Sequence, residues 1–326
     1  SRGRVDLGIG SDQVVKIAFV FPGQGSQFVG MGKDLYDHVP SARKLFEEAN
    51  EVLGYDLASI CFNGPEEALK LTENTQPALL VHSIMALKIL RENGIDSVLA
   101  AGHSLGEFSA LVSAGALQFK DAVRLVRLRG QFMQEAVPVG VGSMAAIIGL
   151  EIDILQQLCD QVSEDSCMVQ PANLNSPVQT VIAGHKKAVE QVSEKALKAG
   201  AKKAVPLPVS APFHSALMKP AEIKLQKELE QTEFHDLSYP VITNIEAKPI
   251  TKASEARSAL VKQVCSPVRW SETMQVLVDQ GIETVIELGA GKVLSGLIKR
   301  FDRSIKCYQV GDRESLSQTL AALNGN

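Results

Sequence analysis

Two hydrophobic rhythms alternate along the chain. Short, largely apolar segments at 14–21, 97–101, 240–244 and 284–288, with a closing one at 306–310, read as strands. Stretches with apolar residues every three to four positions, at 41–53, 75–90, 119–135, 254–264 and 293–300, read as helices packed by one face. Strands alternating with helices predict an α/β fold with a mainly parallel sheet. Pro77 is expected near the first turn of the 75–90 helix, where its missing N–H costs nothing.

The rhythm changes after Gly140 and Gly142. Strand patterns at 143–149, 167–173, 178–184 and 204–209 enclose helical patterns at 153–162 and 186–199. The order is β-α-β-β-α-β, the ferredoxin-like arrangement. The expected organisation is a large α/β domain over 14–139 and 209–326 with a small ferredoxin-like insert at 140–208. A cleft between the two is a natural ligand site. Residues 1–13 are polar and lack an apolar stretch; they read as a disordered leader or an expression remnant, not a signal peptide.

One junction carries chemistry. The strand pattern 97–101 runs into Gly102-His103-Ser104-Leu105-Gly106 and then into a helical stretch. A G-x-S-x-G turn between strand and helix is the nucleophile elbow of hydrolase-like sheets. The glycines let the chain fold tightly on both sides of Ser104. The amides opening the helix point at whatever the hydroxyl attacks. Pro22-Gly23-Gln24-Gly25-Ser26-Gln27 follows the first strand, but its glycines miss the dinucleotide spacing. Close backbone approach to a reacting oxygen suits such a loop better. Gly289-Ala290-Gly291-Lys292 reads as a strand-to-helix turn.

An activated serine needs a base. Of the six histidines, His103 adjoins the serine at a sharp turn, and His38, His235 and His185 lie at helix ends or in loops. His82 falls within an apolar helix. His214, downstream on the proline-stiffened loop Ala211-Pro212-Phe213-His214, is the best candidate. No acidic residue stands out as a third member, which suggests a dyad with a neutral acceptor orienting the imidazole. Arg129 is the other anomaly. On a helical wheel Arg124, Arg127 and Gln131 fall on the polar side, but Arg129 falls among Ala122, Val123, Val126, Phe132 and Met133. A buried guanidinium needs a carboxylate or phosphate. Its partner is either an acidic residue elsewhere in the fold or the carboxylate of a substrate.

Composition narrows the class. Hydrophobic residues make up 45% and charged residues 21% of 326, ordinary for a globular enzyme. A net charge of -4 without a basic block gives no reason to expect nucleic acid. No apolar run reaches the ~18 residues of a membrane span. Five cysteines without a CxxC pair read as free thiols, mostly buried, in a reducing compartment, so a cytoplasmic location is expected.

These motifs together resemble a known family. Gly23-Gln24-Gly25-Ser26-Gln27, Thr75-Gln76-Pro77-Ala78, the Ser104 elbow, Arg129 with Met133, Asn173-Leu174-Asn175-Ser176-Pro177 and Pro212-Phe213-His214-Ser215 occur in its order. Gln263, Pro267-Val268-Arg269-Trp270, Glu287-Leu288-Gly289 and Gly291-Lys292-Val293-Leu294 complete the set. The chain is similar to the malonyl-CoA:acyl carrier protein transacylases of bacterial fatty acid synthesis, relatives of polyketide acyltransferase domains. Ala290 and Cys265-Ser266 depart from the family pattern, away from the proposed chemistry.

The resemblance implies roles. Ser104 is the acyl-accepting nucleophile and His214 its base. Gln263 supplies the acceptor that orients the imidazole. The amides of Gln24 and Leu105 form the oxyanion hole. Arg129 pairs with the malonyl carboxylate, while Phe213, Met133 and Gln76 complete the acyl site. Malonyl-CoA is substrate, CoA is product, no cofactor is bound, acyl carrier protein is the partner, and a monomer is expected. Three alternatives stay open: a serine esterase or thioesterase, malonyl loading of a polyketide carrier, and a non-catalytic carrier-binding protein.

Overall fold

The computed structural model describes residues 4–6 and 14–325. Most of the expected leader thus lies outside the described residues; within it Arg4–Asp6 forms a short strand. The strands are β1 (Arg4–Asp6), β2 (Val14–Phe21), β3 (Leu99–Gly102), β4 (Gly142–Ile148), β5 (Val169–Ser176) and β6 (Gln179–His185). They continue with β7 (Lys203–Pro206), β8 (Val241–Ile242), β9 (Pro249–Ile250), β10 (Thr284–Leu288) and β11 (Lys306–Val310).

The larger sheet runs β11-β10-β2-β3-β8-β9, with β1 added against β2. From β11 to β8 every pairing is parallel; β1 and β9 are antiparallel. Its centre is dry: Ile17, Ala18, Phe19, Val20 and Phe21 are fully buried, as a strand covered by helices on both faces must be. The second sheet is antiparallel, in the order β5-β6-β4-β7. With helices Ile152–Val162 and Lys186–Lys198 it completes the expected βαββαβ unit. An isolated bridge from Asn173 to Val268 ties the small sheet to the rest.

Three local expectations are corrected. The long helix begins at Thr72, so Pro77 lies inside it and not in its first turn. The Glu73 carbonyl that Pro77 cannot serve accepts instead from Arg127 Nη1 at 3.1 Å. Arg127 is thus half-buried and bonded, and Arg124, on the same polar side of its helix, pairs with Glu228 at 2.8 Å; neither is simply solvated. Trp270–Asp279 forms a helix that the spacing did not reveal. Among the described residues no helix is long and apolar enough to cross a membrane. All five cysteines are free, two buried and three partly exposed.

The glycines of the elbow are fixed by contact. A Cβ on Gly102 would strike the Gly106 carbonyl, and one on Gly106 would strike the Phe21 carbonyl. Gly102→Ala is therefore expected to overpack the junction of β2, β3 and the following helix. A cost of about 1–3 kcal/mol corresponds to a thermal midpoint roughly 1–5 °C lower. Calorimetry checks this, and an unchanged midpoint would show that the elbow can relax.

Candidate active site

The turn after β3 lifts Ser104 above the carboxyl edge of the larger sheet, with helix Gly106–Ser113 starting directly behind it. Ser104 has φ 54, the left-handed region. So does His214, at φ 57; among the described residues Ala247 is the other non-glycine residue there. Such backbone strain persists only where surrounding contacts enforce it. Asn244, fully buried after β8, supplies them at the elbow. Its Oδ1 accepts the Ser104 N–H at 2.8 Å, and its Nδ2 donates to the Gly102 carbonyl at 2.6 Å.

Ser104 Oγ lies 2.7 Å from His214 Nε2. His214 Nδ1 lies 3.0 Å from the backbone carbonyl of Gln263. Nδ1–H donating to that carbonyl leaves Nε2 free to accept the serine proton. Gln263 thus meets the base through its main chain. Its side chain does other work: Nε2 donates to the Ser104 carbonyl at 2.9 Å and to Asn244 Oδ1 at 3.1 Å. Its Oε1 accepts from Arg129 Nη2 at 2.9 Å.

Arg129 is 1% exposed, as its place on the wheel predicts. Nη1 donates to Gln76 Oε1 at 2.9 Å, and Nη2 reaches Ser104 Oγ at 3.3 Å. Nε has no partner among the described residues. Its hydrogen-bond partners are therefore neutral amides and a hydroxyl, with the Phe108 ring 5.6 Å from the guanidinium carbon. The elbow opens into a cavity of about 220 Å³. Gln24, Leu105, Arg129, Met133 and Phe213 line it from the large sheet's side, Met144 and Asn173 from the small sheet.

Residues 18–312 match the acyl transferase domain family. The malonyl CoA-acyl carrier protein transacylase of Bacillus subtilis (strain 168) is 52% identical over 314 residues, covering 95% of this chain and 99% of its own. The chain belongs to the malonyl CoA-acyl carrier protein transacylase family. It is an acyltransferase. The transacylase of Coxiella burnetii superposes with a TM-score of 0.92 at 42% identity, covering 95% of this chain and 98% of that one. A malonyl-transacylase solved in complex with a type II PKS acyl-carrier protein gives a TM-score of 0.91 at 47% identity, covering 95% and 100%.

Burial shapes the acid–base character of this acyltransferase site. Desolvation, the Arg129 charge and His103 hold His214 down at about 3, against the pull of the Gln263 carbonyl. The imidazole is neutral and ready to accept a proton at neutral pH. Desolvation also lowers Arg129 to about 10, which leaves it protonated. Burial pushes Glu107 up to about 7.

Seven of the nine sequence candidates line one cavity, and Gln76 and Gln263 brace it. Ser104, His214, Arg129, Gln24, Leu105, Phe213 and Met133 all line the cavity. Gln76, expected in the acyl site, accepts from Arg129 Nη1 through its Oε1 at 2.9 Å. Sequence reasoning missed Asn244 and Glu107. Nothing marks an asparagine at a strand end, but an acid in the first turn of an otherwise apolar helix was a readable signal for Glu107. It also gave no role to Asn175, whose Oδ1 lies 2.7 Å from His103 Nε2. His82 is a core histidine, its Nε2 2.8 Å from the Gly311 carbonyl.

Proposed function

We propose that the chain transfers a malonyl group from malonyl-CoA to the phosphopantetheine thiol of an acyl carrier protein through a malonyl-Ser104 intermediate. One observation carries this reading: a buried, protonated guanidinium held by neutral amides, with Nη2 3.3 Å from the nucleophilic oxygen. A cation placed there with no carboxylate bonded to it suits an acyl group that ends in one.

The geometry supports the following steps. Ser104 Oγ attacks the thioester carbonyl carbon as His214 Nε2 takes its proton. The oxyanion forms against the amides of Gln24 and Leu105, each worth roughly 3 kcal/mol in comparable sites. Collapse breaks the C–S bond, and the departing sulfur takes the proton to leave as CoA thiol. The carrier's thiol then repeats the sequence in reverse, losing its proton to His214 and returning one to Ser104. This chemistry asks for no bound cofactor. The free thiols support a reducing, cytoplasmic setting, and a site built within one chain supports a monomer.

Incubation with labelled malonyl-CoA, followed by acid quench and peptide mass analysis, tests the proposal. The expected result is a malonyl mass gain on Ser104 that chases onto holo carrier protein. An absent adduct would overturn it; an adduct lost to water but not to carrier would make the chain a hydrolase. Fatty acid synthesis is the pathway favoured here. The likeness to a transacylase solved with a type II PKS carrier keeps polyketide loading as the second reading, separated by comparing rates with the two carriers.

A further inference from the structure

Glu107 takes no part in the transfer steps, yet it is 1% exposed and three residues past the nucleophile. One carboxyl oxygen accepts the Asn244 N–H at 2.6 Å. The other meets no donor among the described residues. The charged group acting on it is Arg129, from the helix Phe119–Glu135. The two are not directly bonded; Gln263, whose Oε1 accepts from Arg129, lies beside Glu107. The other elements packed against it offer amides: Asn244 after β8 and Gln263 at the end of helix Ala253–Gln263. Of the remaining titratable groups of the cavity, His103 and His214 are held neutral by burial, and Lys70, at its exposed rim, pairs with Glu66 at 3.0 Å.

Charge counting gives the consequence. An ionised Glu107 and a protonated Arg129 leave the buried site neutral. A malonyl group on Ser104 brings a second carboxylate to the same guanidinium. The site would then hold a net negative charge away from water, which is costly. A proton from solvent restores neutrality, and the carboxyl with one unsatisfied oxygen is placed to receive it.

We propose that Glu107 acts through Arg129 as the charge-compensating residue of malonyl selection, taking up a proton as the malonyl group is loaded and so leaving the Arg129 charge to the incoming carboxylate. This rests on the reading of Ser104 and Arg129 given above. Burial, opposed by the Asn244 N–H, the Arg129 charge and the Gln263 side-chain amide, sets Glu107 at about 7, so its proton is exchangeable near neutrality. An added negative charge pushes it higher. Above neutrality Glu107 is ionised and competes with malonyl for Arg129; below it, malonyl meets an uncontested cation. Malonyl loading therefore falls as pH rises, while acetyl loading, which brings no charge, does not.

The test mixes the wild-type enzyme with malonyl-CoA or acetyl-CoA in weakly buffered indicator dye at about pH 7.5, with Ser104 occupancy read by mass. The expected result is uptake of between about a half and one proton per malonyl-serine, and none per acetyl-serine. In wild type the malonyl-to-acetyl loading ratio falls roughly tenfold from about pH 6 to about pH 8, following a group that titrates near neutrality. Glu107→Gln flattens that ratio. Malonyl-serine formed without proton uptake, or an unchanged slope in Glu107→Gln, overturns the proposal and leaves the transferase reading intact. If Glu107→Gln does not fold, the wild-type proton count alone decides. Failure to form malonyl-serine at all removes the transferase reading itself, and this proposal with it.

Discussion

Ser104→Ala and His214→Ala will each cut malonyl transfer by about 10⁴–10⁶-fold, and the double variant will lose no more than the worse single one. The two side chains meet at 2.7 Å and act on one proton, so removing either disables the pair. What survives is the work of the two backbone amides, which neither substitution touches. Steady-state transfer and the acyl-enzyme mass provide the measurement; losses that multiply would show two separate functions instead of one. The pH profile adds a signature. Because burial and the Arg129 charge hold the imidazole at about 3, it stays unprotonated through neutrality. Acetyl loading, free of any acyl carboxylate, should therefore run flat between about pH 5 and 8, where an ordinary histidine would titrate. An inflection near the usual histidine value would mean that the base is better hydrated than its burial indicates.

Legibility of the fold followed the strength of the pattern. Short strand-like segments placed β10 and β11 at Thr284–Leu288 and Lys306–Val310, the bounds expected. The long helix was mislocated at its start because the residues missed are polar: Thr72 and Asn74 pack inside the fold, where hydropathy gives no warning. At the site, residues whose chemistry conflicts with their surroundings could be read directly. A serine between glycines at a strand end was one; an arginine on an apolar helix face was another. Their partners could not be read. Arg129 is held by Gln76, 53 positions away, and Gln263, 134 positions away, and only the folded sheet brings those together. The backbone carbonyl of Gln263 was invisible for a further reason: every residue has one, so only its position above His214 gives it a role.

Arg129→Ala will lower malonyl loading by about 10²–10³-fold and leave acetyl loading within a few fold of wild type. A malonyl carboxylate deprived of its buried partner loses on the order of 2–5 kcal/mol, whereas an acetyl group never had that contact. Arg129→Lys will recover only part of the loss, because a point charge cannot reproduce the fork that Gln76 and Gln263 hold in place. Loading rates with both acyl-CoAs, and a thermal midpoint for each variant, make the check. Equal losses for the two acyl groups would mean that Arg129 supports the cavity without reading its contents. The same substitution bears on Glu107. Without the guanidinium, nothing charged among its neighbours favours the ionised carboxyl, so it remains protonated to higher pH. Arg129→Ala should therefore abolish both the malonyl preference and its pH dependence, whereas Glu107→Gln abolishes the pH dependence and keeps the preference. That difference assigns recognition of the carboxylate to Arg129 and compensation of its charge to Glu107.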